Sequence, residues 1–253
     1  MERRRRAMGQ DERARGVVHI HSGFSGDGLL GVEEIASLCA ERGLSFAALT
    51  DHAEDVDEAA MRDMVAACDE QTRAGFTAIP GLEHRLTEHV HILAVGQRRL
   101  VESDSTVGML EAVVREGAVL VAAHCTADTD LPPRVLEILT AVEIWNVSRH
   151  TRYLPTRDSI AAYRHWSRAY PHLSAIGGLD MHTGCEWGCE VVLSVGRAST
   201  QDAVLDELRA GRFRTKGSLT SFGSRPSGGI RDFIFAAGDA LAGARDARDR
   251  VLR

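Results

Sequence analysis

The chain has 253 residues, of which 44% are hydrophobic and 26% are charged, and its formal net charge is −6. This composition is typical of a globular protein and excludes collagen-like and low-complexity disorder. The acidic balance argues against a general nucleic-acid-binding surface. The longest apolar run, residues 117–123, is too short to cross a bilayer, and no apolar signal-peptide stretch follows the basic start Met1–Arg6. We therefore expect a cytoplasmic protein without a membrane partner, with a flexible basic segment over 1–15 and a single domain over 16–253.

Short apolar runs alternate with helical patterns along the chain. The predicted strands cover residues 16–21, 45–50, 76–81, 90–95, 118–123, 141–145 and 173–178. They are apolar on both faces, which is typical of buried parallel strands. The clearest helical repeats fall at residues 32–39, 61–68 and 230–237, the last predicting a C-terminal helix. About seven strands alternating with helices predict an α/β fold, and a closed (β/α) barrel more readily than an open sheet.

Imidazoles and carboxylates stand where the predicted strands end. In a (β/α) barrel these ends meet at one mouth, where active sites are built. His19 and His21 are two residues apart, so in an extended strand both rings point to the same side. A set of imidazoles and carboxylates without thiolates suits zinc, manganese or iron at a hydrolytic centre. One such histidine is usually structural, but we base a metal-site prediction on the whole set: His19, His21, Asp51, His52, Glu83, His124, Asp180 and His182.

Six short motifs, in this order, resemble those of the PHP (polymerase and histidinol phosphatase) family of metallohydrolases. They are the segments 19–28 (HIHSGFSGDG), 50–52 (TDH), 80–83 (PGLE), 91–96 (HILAVG), 123–124 (AH) and 178–182 (GLDMH). The chain departs from the family pattern in two places, where Gly26 is inserted between Ser25 and Asp27 and where Leu179 replaces a serine.

The resemblance implies a distorted (β/α)7 barrel that holds up to three divalent metal ions (Zn, Mn or Fe) at the carboxyl ends of its strands. One metal would be held by four residues: His19, His21, Glu83 and Asp180. Glu83 would bridge to a second metal bound by His91 and His124, and Asp27, His52 and His182 would hold the third. His89 competes with His91, because both would face one side of the same strand, and the match to the family motif favours His91.

The same resemblance implies phosphate chemistry. Three carboxylates among nine ligands leave three divalent ions with excess positive charge, which suits a metal-bridging hydroxide and an anionic substrate. Glu83 would be central to catalysis, and Asp51 would orient the ring of a ligand histidine from behind. We expect a phosphatase acting on a small phosphorylated metabolite or nucleotide.

Loops at the barrel mouth should determine the substrate specificity. Arg149, His150 and Arg152 follow the predicted strand that ends near Asn146, and Arg225 lies in the Ser- and Gly-rich stretch 218–229. Guanidinium groups bind phosphate through paired hydrogen bonds, so these residues are candidate substrate contacts. Cys125, Cys185 and Cys189 are interpreted as ordinary thiols, because an isolated CxxxC does not make a zinc site.

Two alternatives stay open at this stage. One is hydrolysis of a non-phosphate ester or carbamate by the same kind of centre. The other is a non-catalytic PHP module, against which the complete ligand set argues.

Overall fold

The computed structural model describes residues 13–184 and 191–226, which form six helices and twelve strands. The helices are α1 (Val32–Glu41), α2 (Glu58–Arg73), α3 (Thr106–Arg115), α4 (Pro133–Ile138), α5 (Arg157–Ala169) and α6 (Gln201–Arg209). The strands are β1 (Arg15–Ile20), β2 (Phe46–Leu49), β3 (Asp51–His52), β4 (Thr77–Ile79), β5 (Gly81–Thr87), β6 (Val90–Val95), β7 (Val119–Ala123), β8 (Ala141–Asn146), β9 (Ser174–Gly178), β10 (Val192–Val195), β11 (Phe213–Lys216) and β12 (Ser221–Gly223). None of the helices in these ranges combines the length and apolar character needed to cross a membrane.

The strands make two six-stranded mixed sheets. One has the order β12-β11-β10-β1-β2-β4 and the other β3-β5-β6-β7-β8-β9. The two sheets share chain segments, because β2 passes into β3 through Thr50 and β4 passes into β5 through Pro80. They also meet where the chain leaves β9, since Ile20 and Met181 form a parallel bridge. β1, β8, β9 and β11 therefore run in the same direction, and their carboxyl ends lie at one end of the fold.

The α/β prediction is confirmed, and a strand lies in each of the seven predicted runs. Residues 13–184 and 191–226 form two mixed sheets, and a closed (β/α)7 barrel is not found among them. The expectation of parallel pairing is wrong for β6, which is antiparallel to both β5 and β7. Only Glu88 and His89 separate β5 from β6, and a parallel connection needs a crossover of a dozen residues or more.

Neighbouring residues of β2, β6 and β7 enter two different apolar cores. In β7, Val119 and Val121 belong to one core, whereas Leu120 and Ala122 belong to the other. This is why the predicted runs are apolar throughout. The predicted helices α1 and α2 pack their buried stripes on the second core, and α1 is followed by Gly43 at φ +67°. The predicted helix at 230–237 and most of the segment 1–15 lie outside the described residues.

Candidate metal centre

The carboxylate of Glu83 lies at the centre of a cluster of histidines. Glu83 is buried in β5, and nitrogen atoms of five imidazoles approach its two oxygens. The N···O distances are 3.5 Å for His19, 3.4 Å for His21, 3.2 Å for His52, 3.0 Å for His91 and 3.4 Å for His124. These residues come from β1, β3, β6, β7 and the residues that follow them, so the fold brings together side chains more than 100 positions apart.

Asp180 contacts the same cluster from the end of β9. Its Oδ1 lies 3.4 Å from Nε2 of His19 and 3.4 Å from Nε2 of His21. Its other oxygen, Oδ2, lies 3.4 Å from Nε of Arg149. Asp180 is therefore the second buried carboxylate shared by the two histidines of the first motif.

Asp27 completes the cluster on its solvent side. Its Oδ2 lies 3.4 Å from Nε2 of His52 and 3.2 Å from Nε2 of His182, and its side chain is 52% exposed. The inserted Gly26 donates its backbone N–H to Asp55 at 2.8 Å, so the extra residue is accommodated in the loop. The chain thus keeps Asp27 beside both histidines despite the insertion.

Eight of the nine residues predicted as ligands fall into three overlapping groups whose ligand atoms lie within 4.8 Å of one another. The groups are His19, His21 and Glu83; Glu83, His91 and His124; and His21, Asp27, His52 and His182. His21 thus also reaches the third group, which the family resemblance assigned only to Asp27, His52 and His182. Asp180 joins the first group through its contacts with His19 and His21.

Backbone strain is concentrated in this cluster. Among the described residues, the non-glycine residues with positive φ are His19 (63°), His124 (36°) and Asp180 (53°). Such conformations are unfavourable for residues other than glycine, and they are typical of functional sites. At His19 the pairing of β1 with β2 also shifts register, so the common direction of His19 and His21 does not come from simple alternation along a strand.

The reversed direction of β6 explains the position of His91. Because β6 is antiparallel to its neighbours, its first residues lie at the end where β7 finishes, and His91 pairs with Ala123. His89 is exposed in the turn before β6, and its backbone N–H donates to Thr87. The structure therefore places His91 in the cluster and leaves His89 outside it.

Sequence reasoning missed Glu143, which supports the cluster from behind. This fully buried residue of β8 accepts a hydrogen bond from Nδ1 of His19 at 2.9 Å. Its second oxygen accepts from the backbone N–H of His124 at 2.7 Å and from Nδ2 of Asn146 at 2.8 Å. The signal was a single acid inside the apolar strand AVEIWN, since a buried carboxylate needs partners.

Asp51 acts differently from its predicted role, because among the described residues its carboxylate has no hydrogen bond or ion pair with a histidine ring. Oδ1 accepts from the backbone N–H of Ser22 at 2.6 Å and from Oγ of Ser25 at 2.7 Å, and Oδ2 accepts from Oγ of Ser22 at 2.8 Å. Ser25 Oγ in turn lies 3.4 Å from Nδ1 of His21 and accepts from the backbone N–H of His52 at 2.9 Å. Asp51 therefore fixes the first-motif loop, and its effect on His21 passes through Ser25.

The charges in the cluster depend on one another. Burial alone would raise the pKa of Glu83, but the surrounding imidazoles, His19 first among them, hold it well below its usual range. Burial lowers the pKa of His19, but the neighbouring carboxylates raise it more strongly. The pKa of His19 therefore lies well above its ordinary value. The hydrogen bond to Glu83 raises the pKa of His52 to about 8. Burial lowers the pKa of His21, and His19 holds that of Asp180 below its usual range although burial opposes it.

The donor set fits divalent cations. His19 and His182 direct Nδ1 outward to Glu143 and to the carbonyl of Asp180, which leaves Nε2 of each ring facing the carboxylates. Nε2 of His19, Nε2 of His21 and Oδ2 of Asp180 are buried without a hydrogen-bond partner. Inward lone pairs on rings that are held from behind are what a metal ion requires.

The structure places three of the predicted substrate residues near the cluster and the fourth away from it. Arg149 is exposed next to Asp180, and His150 and the half-buried Arg152 follow in the same loop. Arg225 is not at the cluster, because it follows Ser224, whose carbonyl pairs with Ala175 at the opposite, amino end of β9. The reason is that β12 pairs antiparallel with β11, which carries the chain back to that end.

Cys125 is buried, and burial raises its pKa, as an inert thiol requires. Cys185 and Cys189 lie outside the described residues.

Comparison with known families gives the same family that the motifs resemble. The profile of the PHP domain matches residues 18–145, which is half of the chain. The chain belongs to the PHP domain family. This PHP chain is also similar to a two-domain protein from Bacteroides vulgatus that contains a predicted PHP-like metal-dependent phosphoesterase. The TM-score is 0.60 over 81% of this chain at 20% identity, and the match spans 65% of the other protein's length. That likeness supports the PHP fold.

Two further structures are more distant. An inferred metal-dependent phosphoesterase from Bifidobacterium adolescentis matches 66% of the PHP chain and 87% of its own length at 17% identity and a TM-score of 0.48. An amidohydrolase from Chromobacterium violaceum with bound sulfate and no metal matches 78% of this chain and 96% of its own at 16% identity and a TM-score of 0.49. No curated protein matches the chain.

Proposed function

We propose that this PHP protein is a phosphoesterase that depends on divalent metal ions and hydrolyses a small phosphorylated metabolite or nucleotide. The observation that carries the proposal is the cluster around Glu83, in which eight imidazole and carboxylate side chains meet in three groups of metal-ligand spacing and Asp180 contacts two of the histidines. We further propose that the two sheets together form the distorted seven-stranded barrel of the family, with the cluster at its mouth, and that the protein acts in the cytoplasm.

The proposed ligands are the nine residues that the motifs indicated. His19, His21, Glu83 and Asp180 would hold one ion, Glu83 with His91 and His124 a second, and Asp27 with His52 and His182 a third. Zinc, manganese and iron suit this mixture of imidazole and carboxylate. When bound, such ions lower the pKa of water towards about 7, so that hydroxide is available at neutral pH, and offset the charge of a phosphate.

The side chains of the protein have three tasks in this proposal. Glu143 and Ser25 hold the Nδ1 atoms of His19 and His21, so that the Nε2 lone pairs point inward. Glu83 and Asp180 stay ionised because the histidines hold their pKa values low. Arg149 lies at the edge of the cluster, where its remaining N–H groups can bind a phosphate oxygen, and His150 and Arg152 lie in the same loop.

The test measures metal content and substrate class together. Elemental analysis should find close to three metal ions per chain, and the loaded protein should hydrolyse an aryl phosphate in preference to the matching aryl ester. Glu83→Gln and His91→Ala should lose both metal and turnover, whereas His89→Ala, with its ring in the exposed turn, should keep both. A protein without bound metal would be a non-catalytic module, and preference for the ester would refute phosphate chemistry.

A further inference from the structure

Large apolar side chains are exposed at three places among the described residues. They are Leu29 (71% exposed), Tyr153 (43%) and Leu219 (57%). Single exposed apolar residues are ordinary on protein surfaces, so their exposure alone indicates nothing. Their common location is the informative feature.

All three residues lie in loops at the end of the fold that carries the cluster. Leu29 follows β1, Tyr153 follows β8, and Leu219 follows β11, and these strands run in the same direction. Residues in the loops after them therefore lie at the same end of the fold as His19 and Asp180.

Contacts tie each loop to the cluster or to its neighbour. The backbone N–H of Leu29 donates to the carbonyl of His182 at 2.8 Å. In the loop after β8, Ser148 Oγ donates to the carbonyl of Asp180 at 2.8 Å. Leu29 and the Tyr153 loop are thus both attached to the segment that carries Asp180 and His182.

The buried indole of Trp145 joins the Tyr153 and Leu219 loops. Its Nε1 donates to the carbonyl of Thr151 at 2.8 Å, two residues before Tyr153. On the other side, Gly217 packs so closely on the ring that an added Cβ would lie 2.0 Å from it, two residues before Leu219. A hydrogen bond of 2.8 Å from Gly217 to Thr220 closes the turn that presents Leu219. Tyr153 and Leu219 therefore belong to two loops that both contact the ring of Trp145.

We propose that Leu29, Tyr153 and Leu219 form an apolar rim that binds the leaving group of the substrate. The inference rests on the proposed phosphoesterase function and names its substrate class. The substrate would be a phosphate monoester whose alcohol carries an aromatic ring or another apolar group, with the phosphate on the cluster and the apolar part against the rim. Burial of apolar surface favours such a complex, whereas a polyol phosphate gains nothing from these side chains.

The experiment compares two phosphate monoesters whose alcohols have similar acidity, ethyl phosphate and 2-phenylethyl phosphate. We expect kcat/KM to be about 10- to 100-fold higher for 2-phenylethyl phosphate, since apolar contacts give discrimination of this order. In the triple variant Leu29→Ser, Tyr153→Ser, Leu219→Ser, the ratio of the two kcat/KM values should fall towards one. Tyr170→Ser changes an aromatic residue next to the opposite, amino end of β9 and should keep the wild-type ratio.

A binding measurement removes the dependence on turnover. Calorimetry with phenylphosphonate and methylphosphonate should show tighter binding of phenylphosphonate to the wild type, and the triple variant should lose that preference. If neither ester were hydrolysed, the proposed function itself would be overturned. If both were hydrolysed with equal kcat/KM values, only the proposed rim would be overturned. An unchanged ratio in the triple variant, accompanied by a changed sedimentation coefficient, would assign the rim to contacts between proteins and refute the proposal.

Discussion

Replacing Glu143 by glutamine tests how the cluster is held in place. The carboxylate accepts from His19 Nδ1, from the backbone N–H of His124 and from Asn146 Nδ2. A glutamine has one oxygen and one NH₂ group. With its oxygen towards His124 and Asn146 it keeps those two bonds but turns its NH₂ towards His19. Nδ1 of His19 must then accept a proton instead of donating one, and its own proton moves to Nε2, the atom that faces Glu83 and Asp180.

The magnitude follows from that single lost bond. A hydrogen bond to a charged group contributes about 1.5–3 kcal/mol. Removing the carboxylate behind a metal-bound histidine commonly lowers metal affinity or activity about 10- to 100-fold, which is the same range. We therefore expect Glu143→Gln to weaken metal binding by about 10- to 100-fold and to lower kcat/KM with it.

The assay is competition with a chromophoric chelator, followed by elemental analysis after dialysis. Glu137→Gln is the matched control, because Glu137 lies on α4 with a half-exposed side chain paired to Arg134. If Glu143→Gln and Glu137→Gln bound metal equally well, Glu143 would not position the His19 ring, and our account of the cluster would be wrong.

Three further predictions concern metal removal, thiol reactivity and packing. In chelator-treated protein, the pKa of His52 is about 8 against an ordinary 6.5, so its stabilisation is complete below pH 6.5 and is lost as the pH rises through 8. We expect urea denaturation between pH 6.5 and 9 to show a loss of about 1 kcal/mol, because solvent screens the half-buried ring, with a smaller loss in His52→Gln; equal losses would contradict this. Burial raises the pKa of Cys39 to about 12, so mass spectrometry should find Cys39 unlabelled by iodoacetamide at pH 8 until the protein is unfolded, and labelling in the native state would refute its burial. In Gly178→Ala the new Cβ would lie 1.9 Å from Glu143 Oε1, so thermal denaturation should show a loss of about 1–3 kcal/mol, and a wild-type Tm would disprove the close packing.

Local sequence patterns predicted the strands and most of the cluster, because these features are encoded in short segments of the chain. The apolar runs around Val18 and Val121 are buried on both faces, and this can be inferred from a few residues. Most of the ligand residues were found because imidazoles and carboxylates at strand ends are chemically conspicuous, whereas Asp27 and His91 came only from the resemblance to the PHP family.

The parts that could not be predicted depend on contacts between distant segments. The direction of β6 is set by its pairing with β5 and β7, so the reason for the position of His91 was not visible in the sequence. The partners of Glu143 and Asp51 belong to other strands and loops, and the wrong placement of Arg225 arose because strands β10 to β12 were not anticipated.

The left-handed backbone at His19, His124 and Asp180 limits how this protein can be stabilised. Each such conformation costs of the order of 1–3 kcal/mol in a residue other than glycine. Glycine would remove that cost at any of the three positions, but it would also delete an imidazole or a carboxylate from the cluster. Engineering for heat tolerance must therefore leave these positions unchanged and look for gains in helix caps and surface loops.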